Sequence, residues 1–173
     1  IGLIGSLNVN FKGHKTAIKA ISLLKEKYNI ELHFLGPGNK NRWLKLIKKY
    51  NLEDNVFFDG VLPSGEPVFN WMDNLDLYLI PSLQEGLPRA LIEAMSRGCP
   101  AIGVKTGGIP ELLDERYVCK RKDYKSIAKK ISELLDNKDI MIKQAEKNFD
   151  KAKNYTKDIL NERRRNFLSY IVK

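Results

Sequence analysis

The chain has 173 residues, of which 43% are hydrophobic and 29% are charged, and its formal net charge is +9 at pH 7. This length suits a single domain with one substantial core, and this composition is typical of a soluble globular protein. No apolar run approaches the ~18 residues that a membrane-spanning helix requires, and no signal peptide opens the sequence. These features exclude a helical integral membrane protein and favour a cytoplasmic one.

Short apolar runs alternate with amphipathic stretches along the chain, which indicates βα units and a parallel sheet. The apolar runs predict six strands, near residues 1–6, 30–35, 55–58, 76–80, 100–104 and 117–119. The amphipathic stretches predict helices over about residues 14–28, 40–50, 66–72, 88–97 and 123–136. The predicted fold class is α/β, a Rossmann-like doubly wound parallel sheet of about six strands flanked by helices. Such folds bind ligands at the carboxyl ends of their strands.

The first strand opens the sequence with no Met or leader before it, so we expect the chain to begin inside a longer protein. A glycine-containing turn, residues 5–14, connects this strand to the first helix. Lys12 in this turn can reach a bound phosphate as a point charge. A solvated lysine is the ordinary alternative.

Later strands also end in turns that contain glycine. Gly36 and Gly38 form a Gly-Pro-Gly turn after the second strand, and a purely structural turn accounts for them equally well. Val61 follows the third strand. Gly107 and Gly108 follow the fifth strand and precede an Ile-Pro-Glu helix start, where free N–H groups face the ligand edge of the sheet.

The most informative segment, residues 81–98, follows the fourth strand and leads into a helix. Pro88 suits the first helical position, and residues 90–95 are mostly strong helix formers. Free N–H groups near Gly86 and Leu87, together with the helix dipole, predict a phosphate site at this helix start.

Two carboxylates flank this predicted phosphate site. Seven residues separate Glu85 from Glu93, which at a rise of ~1.5 Å per residue corresponds to roughly 10 Å. That distance suits a ligand with a hydroxyl-bearing ring on each side of a phosphate group, as in a nucleotide sugar. Alternatively, Glu85 is a favourable charge near a helix start and Glu93 is a solvated helix residue.

The last segment, residues 138–173, predicts one or two appended helices and no strand. Residues 120–173 hold 16 Lys/Arg and 8 Asp/Glu, and therefore carry +8 of the net charge of +9. A solvated helical surface explains this excess, and attraction to anionic lipid headgroups is the sharper alternative. No basic-aromatic platform or helix-turn-helix pattern accompanies the charge, so we expect no nucleic acid partner.

Cysteine and histidine spacing indicates no metal site. Cys99 and Cys119 are expected to be buried free thiols, and His14 and His33 form no ligand set. Because the acidic residues are also dispersed along separate elements, we expect neither a metal nor a cofactor.

The Pro-Ser-x-x-Glu-Gly-x-Pro segment and the Glu-x7-Glu pair resemble the motifs of the retaining glycosyltransferases of family four (glycosyl transferases group 1), which have the GT-B fold. The resemblance, in particular to bacterial polysaccharide-biosynthesis transferases, implies that residues 1–173 form the C-terminal, donor-binding domain without the N-terminal acceptor domain. It implies that Glu85 faces the donor sugar, that Glu93 binds the ribose hydroxyls, and that the amides of Gly86 and Leu87 hold the diphosphate or sugar.

The same resemblance assigns the other residues of the donor site. Lys12 matches a basic residue on the diphosphate and is implied, with Glu85, to be catalytic. Ser6 stands where an arginine is usual, so either the site tolerates this loss or another cation, such as Lys15 or Lys105, compensates. The remaining implied donor-binding residues are Gly36, Gly38, Val61, Ser82, Gly107 and Gly108.

The implied activity is transfer of a sugar from a nucleoside diphosphate sugar to a glycan or lipid-linked acceptor. The resemblance further implies retention of anomeric configuration, independence of metals, and a role in cell-surface polysaccharide or capsule biosynthesis, in the cytoplasm or peripherally at the inner face of the membrane. We expect the isolated chain to be inactive. Two alternatives stay open: a GT-B-like sugar-nucleotide epimerase, and a non-catalytic nucleotide-sugar-binding module, which Ser6 favours.

Overall fold

Six short strands form one parallel sheet in the computed structural model, which describes residues 1–171. The strands are β1 (Gly2–Ile4), β2 (Leu32–Leu35), β3 (Val56–Gly60), β4 (Tyr78–Ile80), β5 (Ala101–Val104) and β6 (Val118–Cys119). Their order across the sheet is β3-β2-β1-β4-β5-β6, and each neighbouring pair is parallel. The predicted doubly wound α/β fold is confirmed. The strand order reverses between β1 and β4, and this switch point is where such sheets bind ligands.

Helices connect the strands and cover both faces of the sheet. They are α1 (His14–Ile21), α2 (Asn41–Lys49), α3 (Glu66–Asp73), α4 (Arg89–Ser96), α5 (Ile109–Leu112), α6 (Tyr124–Leu135), α7 (Lys138–Ala152) and α8 (Lys157–Ile171). Short 3-10 helices occupy Glu115–Tyr117 and Lys153–Tyr155.

Helix α1 is shorter than the predicted span of residues 14–28. It ends at Ile21, and tighter turns follow, in which the Leu23 amide donates to the Ala20 carbonyl. The Ser22 hydroxyl donates to the Lys19 carbonyl at 2.8 Å. Because a serine hydroxyl competes for carbonyls of the preceding turn, it favours a helix end at this position.

Alternating side chains on the strands build two cores. Leu3, Leu79 and Ile102 face the core under α1, α2 and α6, whereas Tyr78 and Ile80 face the core under α3, α4 and α5. A parallel sheet covered on both faces has to bury both sets of side chains, which explains why its strands are apolar at nearly every position.

Helix α7 is fixed to the sheet by two buried amide side chains. The Gln144 amide accepts from the backbone N–H of Ala101 and donates to its carbonyl, and the Asn148 amide donates to the Cys99 carbonyl. The next helix, α8, has no buried residue over Lys157–Ile171. Within residues 1–171, no helix combines the length and the apolar character that crossing a bilayer requires.

Candidate functional site

A cavity of about 460 Å³ opens at the switch point, beside the carboxyl ends of β1 and β4. Four of the residues predicted to form a site line it together, namely Lys12, Glu85, Leu87 and Glu93. These four come from the turn after β1, the segment after β4 and helix α4. Residues far apart in sequence therefore meet where the fold places its ligand site.

Lys12 and Glu85 form an ion pair inside this cavity. The Lys12 Nζ lies 2.7 Å from the Glu85 Oε1, and the two side chains are 26% and 10% exposed. The turn that carries Lys12 packs against the residue that follows β4, because Gly13 adopts a φ of 82° and its Cα lies against the Pro81 carbonyl. A side chain at position 13 would overlap that carbonyl.

The start of α4 forms one wall of the cavity. The helix begins at Arg89, and Pro88 precedes it with φ −78° and ψ 106°. The sequence predicted Pro88 as the first helical residue, whereas the structure places it one residue before the helix. The first N–H groups of a helix have no partner within it. In α4 these include the amides of Arg89 and Ala90, and both residues line the cavity.

The amides of Arg89 and Ala90 lie two to four residues after Gly86 and Leu87, whose own amides stay the predicted partners of a phosphate. A residue before proline is disfavoured in the helical region, which keeps Leu87 out of the helix. Leu87 lines the cavity, and Gly86 is exposed beside it.

Arg89 is a cavity residue that sequence reasoning missed. It precedes Glu93 by four residues on α4, so both side chains occupy one helix face, and both line the cavity. The cavity thus contains two cations, Lys12 and Arg89, and two carboxylates. The four-residue spacing to Glu93 was the available signal for Arg89 in the sequence.

Tyr78 is a second residue that sequence reasoning missed. It lies on β4 at the floor of the cavity and is 1% exposed. Burial raises the pKa of its hydroxyl, and the Glu85 and Glu93 carboxylates raise that pKa further, so Tyr78 stays neutral. The alternation of side chains between the two faces of β4 was the sequence signal that could have predicted this position for Tyr78.

Gly107 and Gly108 support the cavity from behind and do not line it. The Gly108 amide donates to the Gly86 carbonyl at 2.8 Å. Gly107 has a φ of 50°, and a Cβ there would overlap the Glu85 carbonyl oxygen. These two glycines therefore set the backbone position of Glu85 and Gly86.

The other predicted donor-site residues lie outside the set that lines this cavity within residues 1–171. The Ser6 hydroxyl accepts from the Asn8 amide at 3.3 Å, and Gly36 packs against the Gly5 carbonyl. Gly38 packs against Asn8, which extends the same corner after β1 and β2. Val61 is 65% exposed beyond β3, and Ser82 is buried in the segment after β4.

The described part of the chain, residues 1–171, holds no group of three or more His, Cys, Asp or Glu side chains suited to a metal ion.

Sequence comparison identifies the family. The sequence model of the family described as "Glycosyl transferases group 1" matches residues 1–155. Protein CapJ of Staphylococcus aureus is 44% identical over 145 residues, which cover 83% of this chain and 36% of CapJ. A protein named putative colanic acid biosynthesis glycosyltransferase WcaL, from Escherichia coli, is 36% identical over 132 residues, which cover 70% of this chain and 32% of WcaL. The chain spans about a third of the length of these relatives.

Solved structures share the fold. The C-terminal domain of LpcC, a glycosyl transferase group 1 family protein from Francisella tularensis, superposes with a TM-score of 0.79 at 23% identity, over 88% of this chain and 83% of that domain. Staphylococcus aureus TarM, solved with UDP and sugar ligands, has a TM-score of 0.79 at 25% identity, over 92% of this chain and 33% of TarM.

The fold is the α/β fold of GT-B type that glycosyltransferase structures share. This chain belongs to the glycosyl transferases group 1 family. Within that family it corresponds to the C-terminal domain of a glycosyltransferase.

Proposed function

We propose that this chain is the donor-binding domain of a retaining glycosyltransferase, which transfers a sugar from a nucleoside diphosphate sugar to a glycan or lipid-linked acceptor. The observation that carries the proposal is the meeting of Lys12, Glu85, Glu93 and the start of α4 around one cavity. Cations and free helical amides bind phosphate, and carboxylates accept hydrogen bonds from sugar hydroxyls.

In the proposed complex, the parts of the donor follow one another along α4. Glu93 lies about one helical turn beyond Arg89, a rise of ~6 Å at ~1.5 Å per residue. In the proposed complex Glu93 binds the ribose hydroxyls, and the diphosphate lies between Lys12 and the amides of Arg89 and Ala90. The donor sugar then lies beside Glu85. TarM, a structural relative, was solved with UDP, which supports a nucleoside diphosphate as the ligand class.

Catalysis in this proposal rests on the leaving group. Negative charge develops on the diphosphate as the glycosidic bond breaks, and Lys12 with the α4 amides stabilises that charge. Arg89 supplies a second cation in the cavity, which compensates for Ser6 in place of the usual arginine. The proposal assigns charge neutralisation to these groups and to no metal ion. Glu85 orients the sugar near its reacting carbon.

The acceptor side belongs to the rest of the protein in this proposal, because the chain spans only about a third of its relatives' length. WcaL is named for colanic acid biosynthesis, which supports a role in polysaccharide biosynthesis. The proposal assigns this role to cell-surface polysaccharides and to the cytoplasm. A non-catalytic module is less well supported, since Lys12 and Glu85 are both present and paired in the cavity.

Peripheral membrane contact is a second proposal, and it rests on α8. Phe167 is 66% exposed and Tyr170 is 87% exposed, and both follow the basic run Arg163, Arg164 and Arg165. Exposed aromatic side chains beside arginines suit an anionic lipid surface. Replacing the three arginines by Gln should lower sedimentation with vesicles containing phosphatidylglycerol. Unchanged sedimentation would remove this proposal.

A donor screen tests the main proposal. Nucleoside diphosphates and their sugars are titrated into the chain, and heat of binding and thermal midpoint are followed. Glu93→Ala should weaken nucleoside diphosphate binding by on the order of 1 to 3 kcal/mol, because the ribose hydroxyls lose a charged acceptor. Ser96→Ala, at an exposed position near the end of the same helix, is the control. The proposal fails if no donor binds at millimolar concentration or if the two variants behave alike.

A further inference from the structure

A second cavity, also of about 460 Å³, borders the turn that carries Lys12 through Asn10 and Gly13, and it shares no lining residue with the first cavity. Its walls come from parts of the chain that are far apart in sequence, namely the turn before α1, α1 itself, α2, the segment after β4, and the start of α6. Lys15 and Lys19 project from α1, and Lys122 lies just before α6. Trp43, Leu83 and Tyr124 add an aromatic and apolar surface.

The charge lining this cavity has one sign. Three lysines and no carboxylate line it. By contrast, the groove beside α7 is lined by three basic residues and three acidic ones, and the donor cavity by two of each. The nearest acid in sequence is Asp123, whose carboxylate accepts from the Ser126 amide and hydroxyl at 3.0 and 2.8 Å and does not line the cavity.

The arrangement of these lysines lowers the stability of the protein when no ligand is bound. Lys15 and Lys19 are four residues apart on α1, a spacing at which like charges repel. Lys122 has a φ of 63°, a left-handed conformation that is unfavourable for a residue with a Cβ. Lys19 Nζ lies 5.1 Å from the Tyr124 ring centroid, which keeps one ammonium over the aromatic surface.

We propose that this cavity is a second anion site, separate from the donor site, and that it binds a diphosphate group whose attached organic part packs on Trp43, Leu83 and Tyr124. Lysine binds phosphate as a point charge, and three lysines match the charge of a diphosphate. Bound diphosphate relieves the repulsion between Lys15 and Lys19. The diphosphate comes either from a free small molecule or from a lipid-linked diphosphate.

The location of binding can be read from Trp43. The chain has two tryptophans, so Trp71→Phe leaves Trp43 as the only one. Inorganic pyrophosphate should change Trp43 fluorescence saturably. Lys15→Gln/Lys19→Gln/Lys122→Gln should weaken this binding at least tenfold. Lys143→Gln/Lys147→Gln/Lys151→Gln, which removes the same charge from α7, should not. Calorimetry on the chain with both tryptophans repeats the comparison without the Trp71 change.

Two further variants sharpen the test. Lys12→Ala should leave the Trp43 response intact, because Lys12 lines the other cavity. Lys122→Gly should raise the thermal midpoint, since glycine adopts a positive φ freely, and should still weaken pyrophosphate binding. The proposal is overturned if the α7 triple variant loses as much affinity as the α1 and α6 one, if Lys12→Ala abolishes the response, or if Lys122→Gly binds normally.

Geranyl diphosphate distinguishes the two sources of the diphosphate. If geranyl diphosphate binds at least tenfold more tightly than pyrophosphate, and Leu83→Ala removes this difference, the ligand is lipid-linked. Equal affinities support a free diphosphate. Absence of saturable binding by both probes overturns the proposal.

Discussion

The ion pair between Lys12 and Glu85 must open when a diphosphate binds Lys12 in the proposed complex. Its Nζ–Oε1 distance is 2.7 Å, and the Glu85 side chain is 10% exposed. A hydrogen bond to a charged group contributes about 1.5 to 3 kcal/mol. The Lys12–Glu85 pair adds to this the attraction between two opposite charges, which a glutamine amide at position 85 would not provide. Glu85→Gln should therefore lower the cost of freeing Lys12 by about 1 kcal/mol after allowance for the solvent that reaches Lys12.

The measurable consequence is a gain in affinity. Glu85→Gln should bind a nucleoside diphosphate about fivefold more tightly, since 1.4 kcal/mol corresponds to about tenfold. Lys12→Ala should weaken binding by about tenfold or more, because the diphosphate loses its charged donor. The double variant should resemble Lys12→Ala. In the full-length protein, Glu85→Gln should nevertheless abolish sugar transfer.

Isothermal titration calorimetry with UDP and GDP, at one ionic strength and pH, measures all three variants. Unfolding in urea provides the control that each variant folds. If Glu85→Gln weakens nucleoside diphosphate binding as much as Lys12→Ala does, Glu85 contacts the nucleotide directly and the assigned division of roles is wrong.

Three further predictions concern stability and reactivity. Gly107→Ala should lower the free energy of unfolding in urea by on the order of 1 to 3 kcal/mol. Gly65→Ala is the control and should lower it less, because Gly65 also has a positive φ, of 93°, but has open surroundings. Equal losses would show that the contact with the Glu85 carbonyl is unimportant. Burial lowers the pKa of His14 to about 4 from 6.5. Between these two pH values the unfolded chain binds a proton on His14 that the folded chain does not. The free energy of unfolding should therefore fall by about 3 kcal/mol as the pH is lowered from 6.5 to 4, and His14→Phe should abolish this pH dependence. Burial raises the pKa of Cys99 to about 12 and that of Cys119 to about 11, so a disulfide reagent at pH 8 should label both thiols only after denaturation; rapid labelling of the folded chain would contradict their burial.

The sequence predicted the fold well because each strand is a short apolar run between turn residues. Every predicted strand exists in the structure near its predicted position. Glu85 and Glu93 both line one cavity, and their roles toward a donor stay predictions. Helix ends were less predictable, since α1 ends beside a single local hydrogen bond, from the Ser22 hydroxyl to the Lys19 carbonyl.

Other features depend on tertiary contacts that no local pattern encodes. Gln144 and Asn148 read as ordinary polar helix residues, yet their amides complete the hydrogen bonds of the chain around β5. The one-signed charge of the second cavity arises only when α1 meets the start of α6. The contacts of Gly107 and Gly108 with the backbone of Glu85 and Gly86 were likewise not predictable from the sequence, and their contact with a donor stays a prediction.

The backbone contacts around the cavity that holds Lys12 and Glu85 predict that this ion pair opens without rearrangement of the main chain. The Leu83 amide donates to the Phe11 carbonyl at 2.6 Å, which ties the turn before α1 to the segment after β4. Gly107 and the Gly108 amide fix the other side of that segment. Both charged side chains therefore start from main-chain positions that do not depend on their own ion pair. A site held in this way keeps its charges in place when the diphosphate replaces Glu85 as the partner of Lys12, so little reorganisation accompanies binding or bond cleavage.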